Sequence, residues 1–457
     1  MTGERSLTGE LARFALETDA AQLPDDVRAA ARRAILDSLG VTIAGARHPA
    51  SRIVVETLPG VTGPLSATIV GFPQRTDIAG ATLANGVMAH VLDWDDTLLP
   101  TRLHLSATLV PALLATGEAR GASGSDLIAA LAVGFEIQAR LAGAISPVMP
   151  ERGWHGTGIV GGIGVAAAVS RLLGSGPEQT AHAMGIAGTA AAGLVATFGS
   201  MAKALNLGRA GAAGVQSAEL AARGFTSHPD LLGAGSFLRM YDDAPRTEHL
   251  RDRLGSRWAV LDNGYKLYPC GVVAHAAIDA ILQLRSNAPA DDAPAAMRLT
   301  VSPETVRLMG NTNPTTGLEA KFSVAYAAAV AWVDGTVLPD AFEDASVTKP
   351  AYRDLLRSVQ VEPSDAVAQD EAICEVRTAS GWVGRSHVEH ARGTRARPLD
   401  DIELRAKFLA ACQVGGFDRA ERLIDAVDQL ENVNARELAR LLSTDANQER
   451  DEGLEHE

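Results

Sequence analysis

Tyr265-Lys266-Leu267-Tyr268-Pro269-Cys270 is the stretch at which this sequence changes character. Before it, apolar residues recur at helical spacing. Leu7, Leu11, Phe14 and Ala15 share one helical face, with Ser6 or Thr8 available as N-cap. Val27, Ala31, Ile35 and Leu39 repeat the pattern behind Pro24 and Asp25. Further helices are expected at 81–93, 105–119, 125–144, 161–173, 177–193 and 209–224, with breaks at Gly and Pro and no strong alternating strand. After Pro269 the pattern turns to strands at 298–301, 358–361, 372–378 and 382–388. The last two flank Ala379-Ser380-Gly381, a hairpin signal. Helical segments at 320–334 and 352–356 lie among them, and helix resumes after Pro398 at 399–411 and 418–442. The expected fold is mainly α. A large all-helical domain takes 1–267 and 398–445, and a smaller α+β domain, 268–397, is inserted before the C-terminal helices. The polar tail 446–457 is expected to be disordered.

Length and composition are compatible with this division. The 457 residues suggest two or three domains, and 46% hydrophobic residues supply ample core. Aromatics are only 4%, while Ala and Gly abound, as suits closely packed helices. The net charge of −14 argues against a nucleic-acid partner. An anionic substrate then needs a local positive pocket against the global field. The N-terminus lacks the basic and apolar regions of a signal peptide, and the charge-free stretch 185–202 is weakly apolar, so it is expected to be a buried core helix and not a membrane span. Cys270, Cys374 and Cys412 are far apart and form no CxxC pair, which suggests a reducing, cytoplasmic setting. Only five of the 41 basic residues are lysines: Lys203, Lys266, Lys321, Lys349 and Lys407. Lysine is the basic residue whose charge burial can tune.

Two motifs are decoys. Gly156-Thr157-Gly158-Ile159-Val160-Gly161 matches G-x-G-x-x-G, but a loop-like Pro150–Trp154 precedes it where a dinucleotide site needs a strand. A helix start that binds an anion stays open. Asp93-Trp94-Asp95-Asp96 has the look of a carboxylate metal site, yet shows no EF-hand spacing and has no second cluster nearby. Its bland alternative is an acidic turn ending a helix. The cysteines lack iron–sulfur spacing.

Five segments carry the chemistry together: Ala84-Asn85-Gly86 with Ala89 to Thr97 and His104-Leu105-Ser106; Gly153 to Gly158; Phe198 to Lys203 with Gly208-Arg209-Ala210; Tyr265 to Cys270 with His275; and Glu319 to Ser323 with Tyr326. This set resembles the MmgE/PrpD family, which includes 2-methylcitrate dehydratases, cis-aconitate decarboxylases and an iminodisuccinate epimerase. The resemblance runs from Leu36-Asp37-Ser38-Leu39-Gly40 to Lys407-Phe408. It implies an all-helical domain with an α+β lid, a homodimer, an active site in the cleft between the domains, and no required metal or cofactor. In the decarboxylase branch the active-site positions carry over to Asp93, Thr97, His104, His155, Lys203, Lys266 and Tyr326. Two departures stand out. Leu105 replaces the usual proline after His104, and Gly156 follows His155 where many members have Pro or a larger residue.

The residue types suit a small di- or tricarboxylate substrate. Lysines and histidines hold carboxylates through charge-assisted hydrogen bonds. Histidine is the natural acid or base for moving a proton beside a carboxylate, which makes His104 and His155 the candidates. Asp93 can fix a lysine or a tautomer, and Thr97, Tyr326 and His275 can orient substrate. Each has a structural alternative: Asp93 and Thr97 can end a helix, Lys266 can be a surface lysine, and Tyr326 can be core. His275 and Cys270 can line the hinge region, Lys321 reads as structural or supporting, and His90, His182 and His228 read as structural. The expected activity is a metal-independent lyase, by dehydration or decarboxylation. The alternatives are an epimerase of a related dicarboxylate and a non-catalytic carboxylate-binding protein. The resemblance places a tyrosine after the Phe-Ser pair in the lyase branches and not in the epimerase branch, so Tyr326 favours the lyase.

Overall fold

The computed structural model describes residues 6–233, 237–290 and 292–444. The expected tail 446–457 lies outside the described residues. Helix accounts for 58% of the chain and strands form two small sheets, so the mainly α class holds.

The first half is built from α1 (Leu7–Glu17), α2 (Asp25–Gly45), α3 (Pro49–Thr57), a short hairpin β1 (Ser66–Thr68) and β2 (Arg75–Asp77), then α4 (Ile78–Val91), α5 (Ser106–Arg120), α6 (Gly124–Ile145), α7 (Val148–Glu151), α8 (Gly156–Leu172), α9 (Pro177–Thr189) and α10 (Met201–Ala222). Ser6 caps α1 by accepting the Gly9 amide at 3.0 Å. α6 has the length and apolarity of a membrane span, but 94% of its apolar window is buried inside the fold, where it serves as a core helix.

Three helices pack unusually closely because glycines face each other. A Cβ on Gly86 would lie 2.8 Å from Gly208 Cα, and one on Gly208 would lie 2.5 Å from the Leu83 carbonyl oxygen. A Cβ on Gly214 would lie 2.6 Å from the Gly162 oxygen. α10 therefore nests against both α4 and α8. This is the structural use of the G-x-G-x-x-G stretch and its flanks: α8 follows α7 and a turn, not a strand, so the dinucleotide reading fails.

The chain continues through α11 (His275–Asn287), β3 (Pro294–Val301), α12 (Pro303–Met309), α13 (Gly317–Ala320), α14 (Val324–Asp334), α15 (Asp344–Val347), α16 (Pro350–Leu356), β4 (Val359–Pro363), β5 (Ala372–Thr378) and β6 (Val383–Val388). The sheet order is β4-β3-β5-β6, with β3 and β4 parallel and the other pairs antiparallel. Along β5, Cys374 and Val376 alternate inward, and Cys374 pairs with Leu299 of β3. α11 and α14 cover the sheet. α17 (Asp401–Gly415), α18 (Ala420–Asp428) and α19 (Ala435–Leu442) then return to the first half, with α17 packed on α2.

Two main hydrophobic cores result. One joins residues from Leu11 to Val260 with Phe408 to Leu442; the other holds residues from Tyr268 to Ala391. All three cysteines are buried and free.

Three expectations need correction. The stretch 185–202 is not one helix: α9 ends at Thr189, a loop and a short 3-10 turn follow, and α10 begins at Met201, with Gly193 and Gly199 at positive φ. The stretch 418–442 is likewise two helices joined by a turn through Leu430–Asn432. The hairpin β1–β2 was not expected, because three residues per strand are too few to show an alternating pattern.

Candidate active site

The site begins where α4 ends. Leu92 caps the helix, and the Asp93 amide donates to the His90 carbonyl at 2.9 Å. Asp93 takes φ +53°, a left-handed conformation that aspartate tolerates better than most residues. Asp93 Oδ1 accepts from Lys203 Nζ at 3.0 Å, from the first turn of α10, and from Lys266 Nζ at 2.6 Å. Lys266 also donates to the Asp93 carbonyl oxygen at 3.1 Å. Lys266 is 2% exposed, which removes its surface-lysine alternative. Burial alone would raise the Asp93 carboxyl, but the two ammonium groups outweigh it and hold it far below the usual range. Burial lowers Lys203, against the pull of Asp93.

Behind this triad lies a histidine relay. Lys203 Nζ donates to His90 Nε2 at 2.7 Å, and His90 Nδ1 meets Asp95 Oδ2 at 2.8 Å. His90 is buried, and burial with the nearby Lys203 and His104 pushes it down to about 3 despite Asp95. It is therefore the neutral Nδ1–H tautomer at neutral pH, an acceptor for Lys203 and a donor to Asp95.

His104 and His155 are held in opposite tautomers. His104 Nδ1 lies 2.9 Å from the Asp96 carbonyl oxygen, which can only accept, so Nδ1 carries the proton and Nε2 is the free lone pair. Asp95 Oδ2 and Thr97 Oγ1 lie 3.3 Å from the same Nδ1. The His104 amide is fixed by Thr157 Oγ1 at 3.0 Å. Where the usual proline is missing, Leu105 has φ −73°, within the range proline would impose, and its side chain is buried in the core. His155, which caps α8, receives the Asn206 side-chain amide on Nδ1 at 3.1 Å, so its proton sits on Nε2. Burial, reinforced by Lys203, holds His155 well below the usual histidine range.

These groups share one cavity of about 690 Å³, its open mouth included. Asp93, Thr97, His104, His155, Lys203 and Lys266 line it, together with Trp154, Phe198, Phe322 and others. Two expected residues are elsewhere. Tyr326 is buried in the second core, its hydroxyl donating to the Ala341 carbonyl at 2.7 Å and its ring against Phe342 and Tyr352. It does not line the cavity, and its helical spacing from Phe322 marks packing in the second core. His275 opens onto a smaller cavity on the other side of Lys266, with Nε2 buried and unpartnered. Lys321 is bound to the Leu92 and Pro269 carbonyls at 2.8 and 2.9 Å, a supporting position.

Sequence reading missed four contributors: His90, Asp95, Asn206 and the buried Asp96. Asp96 accepts from Ser106 and from Asn263 Nδ2 and is pushed up to about 7 by burial, against those hydrogen bonds. Only the acidic run at 93–96 hinted at any of them.

The ligand atoms of His90, Asp93, Asp95 and His104 lie within 4.8 Å of one another, a spacing a metal ion would accept. The Lys203 ammonium bonds both His90 and Asp93 there, and Lys266 bonds Asp93 as well. The positive charge the cluster calls for is supplied by lysine.

Residues 9–245 match the MmgE/PrpD N-terminal domain and residues 268–432 the MmgE/PrpD C-terminal domain. The chain belongs to the MmgE/PrpD family. Its relatives include a cis-aconitate decarboxylase of Mus musculus, 29% identical over 92% of this chain and 90% of the relative. One of Homo sapiens is 29% identical over 90% and 89%, and one of Aspergillus terreus 29% over 80% of each. Within the MmgE/PrpD match, Lys266 falls in the interval between the two domain models, at the junction of the two cores.

Proposed function

We propose that this protein is a lyase that decarboxylates a small unsaturated tricarboxylate of the cis-aconitate type. The observation that carries the reading is one cavity lined by the Lys203–Asp93–Lys266 triad and by two histidines in opposite tautomers. Among the reactions such a site can host, the names of the relatives support decarboxylation.

In this reading Lys203 and Lys266 bind substrate carboxylates, and Asp93 keeps the two ammonium groups together. His104 moves the proton. When Nε2 takes up a proton, the adjacent Asp95 carboxylate stabilises the imidazolium, much as an aspartate supports histidine in hydrolytic triads. His155 stays neutral and offers Nε2–H to a substrate oxygen. The bond to the leaving carboxylate breaks, its electron pair passes to the carbon skeleton, carbon dioxide departs, and His104 delivers its proton to carbon. Each turnover consumes one proton. Preorganised charge in a largely buried cavity supplies much of the rate. A homodimer and a lid action of residues 268–397 belong to the same proposal.

Proton NMR in D2O with cis-aconitate, 2-methylcitrate, citrate and iminodisuccinate tests it. Loss of carbon dioxide with a new deuterated alkene supports decarboxylation. An alkene formed without gas loss would replace it with dehydration. Carbon-bound deuterium with no new alkene would replace it with epimerisation, which the same His104 can begin by removing a proton.

A further inference from the structure

We propose that Arg102 and Arg307 form a carboxylate-recognition pair at the mouth of the cavity, with Glu304 as the internal anion that a substrate carboxylate displaces. The proposal rests on the reading of the substrate as a polycarboxylate, and it names the residues that would read its far end.

Both arginines line the same cavity as Asp93, Lys203 and the two histidines. They come from opposite parts of the fold. Arg102 lies in the turn between Leu98 and Leu103, where its backbone takes φ +55° and its amide donates to the Leu98 carbonyl at 2.7 Å. Arg307 lies on α12, its side chain 40% exposed, which places it at the open end. Glu304, one turn earlier on α12, accepts from Arg307 Nε at 2.7 Å and Nη2 at 2.5 Å and also pairs with Arg102. One carboxylate thus serves two guanidinium groups. Glu151 also acts on Arg102 electrostatically.

The cavity is therefore cationic deep inside, at the two lysines, and again at its mouth. Between them it is apolar, with Met149, Val195, Phe198, Val272, Met309 and Phe322 in its wall. That pattern fits a short carbon skeleton with carboxylates at both ends. Guanidinium is the group best shaped to grip a carboxylate through two parallel bonds. Glu304 already shows that a carboxylate fits between these two arginines. An incoming substrate carboxylate would exchange with it without leaving either arginine unpaired.

Calorimetric binding of propane-1,2,3-tricarboxylate, a saturated and unreactive probe, tests the pair. Arg102→Gln and Arg307→Gln are expected to weaken binding by about tenfold or more each, with a higher KM and little change in kcat. Arg102→Lys and Arg307→Lys, which keep the charge, are expected to fall between. Glu304→Gln removes the internal competitor and is expected to tighten binding. The opposite sign is decisive, because a merely structural strap would be loosened by all of these substitutions. Weaker binding by Glu304→Gln, at an unchanged melting temperature, would overturn the proposal. So would wild-type affinity in both arginine variants, and that result would leave the function reading standing. Failure of the unmodified protein to bind the probe at all would sink both.

Discussion

At the scale of single residues, the site works by fixing which nitrogen of each histidine holds a proton. Asp95 is the residue on which this depends most, because it faces both His90 and His104. Asp95→Asn removes the charge that stabilises protonated His104. Decarboxylation in this reading needs a proton delivered from His104, so loss of the Asp95 carboxylate slows that step. We expect kcat to drop about a hundredfold or more, by analogy with the loss of a triad aspartate, and steady-state kinetics of the folded variant check it. Asn206→Asp acts on the other ring. A carboxylate beside His155 Nδ1 draws the proton there and raises a group that burial now keeps neutral. Nitrogen-15 histidine shifts should report the change of tautomer, with kcat lowered about tenfold. Of this site, Asp93, His104, His155, Lys203 and Lys266 were legible in the sequence because their motifs occur together, although each alone has a bland explanation. Its supporting residues were not. His90 looks like any helical histidine until Lys203, 113 positions away, is seen to bond it. Asn206 carries no charge to draw notice. Tyr326 failed in the opposite sense, since aromatic spacing on a helix does not tell a core face from a cavity face.

At the scale of elements, the helices set the distances on which the chemistry relies. Lys203 reaches Asp93 and His90 because α10 lies hard against α4, and the glycines at 86 and 208 permit that approach. Gly208→Ala would place a methyl 2.5 Å from the Leu83 carbonyl oxygen. The helices must then part. We expect a loss of about 1–3 kcal/mol in stability, the usual cost of overpacking, measurable by denaturant unfolding. Activity should fall further than stability alone explains, since Lys203 moves with α10. The major helices and all four strands of the larger sheet were legible from periodicity and punctuation. The break at 190–200 was not, because its Ala- and Gly-rich sequence suits a continuous helix and a tight loop equally well by composition, and the break at 429–434 was not, because no Gly or Pro punctuates it.

At the scale of the whole molecule, buried titratable groups set how stability responds to pH. His90 and His275 are pushed down to about 3, and His155 is also lowered, mainly by burial. Each stays neutral in the fold while the unfolded chain takes up a proton near its ordinary value of about 6.5. Stability therefore falls as pH drops from about 6.5 towards 3. Asp96 acts in the other direction. Its folded value of about 7 lies above the unfolded one, so it costs stability increasingly as pH rises from about 4 to 7. Asp96→Asn should raise the melting temperature at pH 8 and leave it nearly unchanged at pH 4, as scanning calorimetry can show.

The Lys321 ammonium holds the Leu92 carbonyl, one residue before Asp93, and the Pro269 carbonyl, where the second core begins. The reacting groups come mostly from the first half of the chain and sit where the two cores meet. A joint can open while both cores stay folded. On heating, turnover should be lost some degrees before either core melts, and recover on prompt cooling, as paired activity and calorimetric scans would reveal. Catalytic lifetime would then measure how long the two cores stay in register at the Lys321 contact.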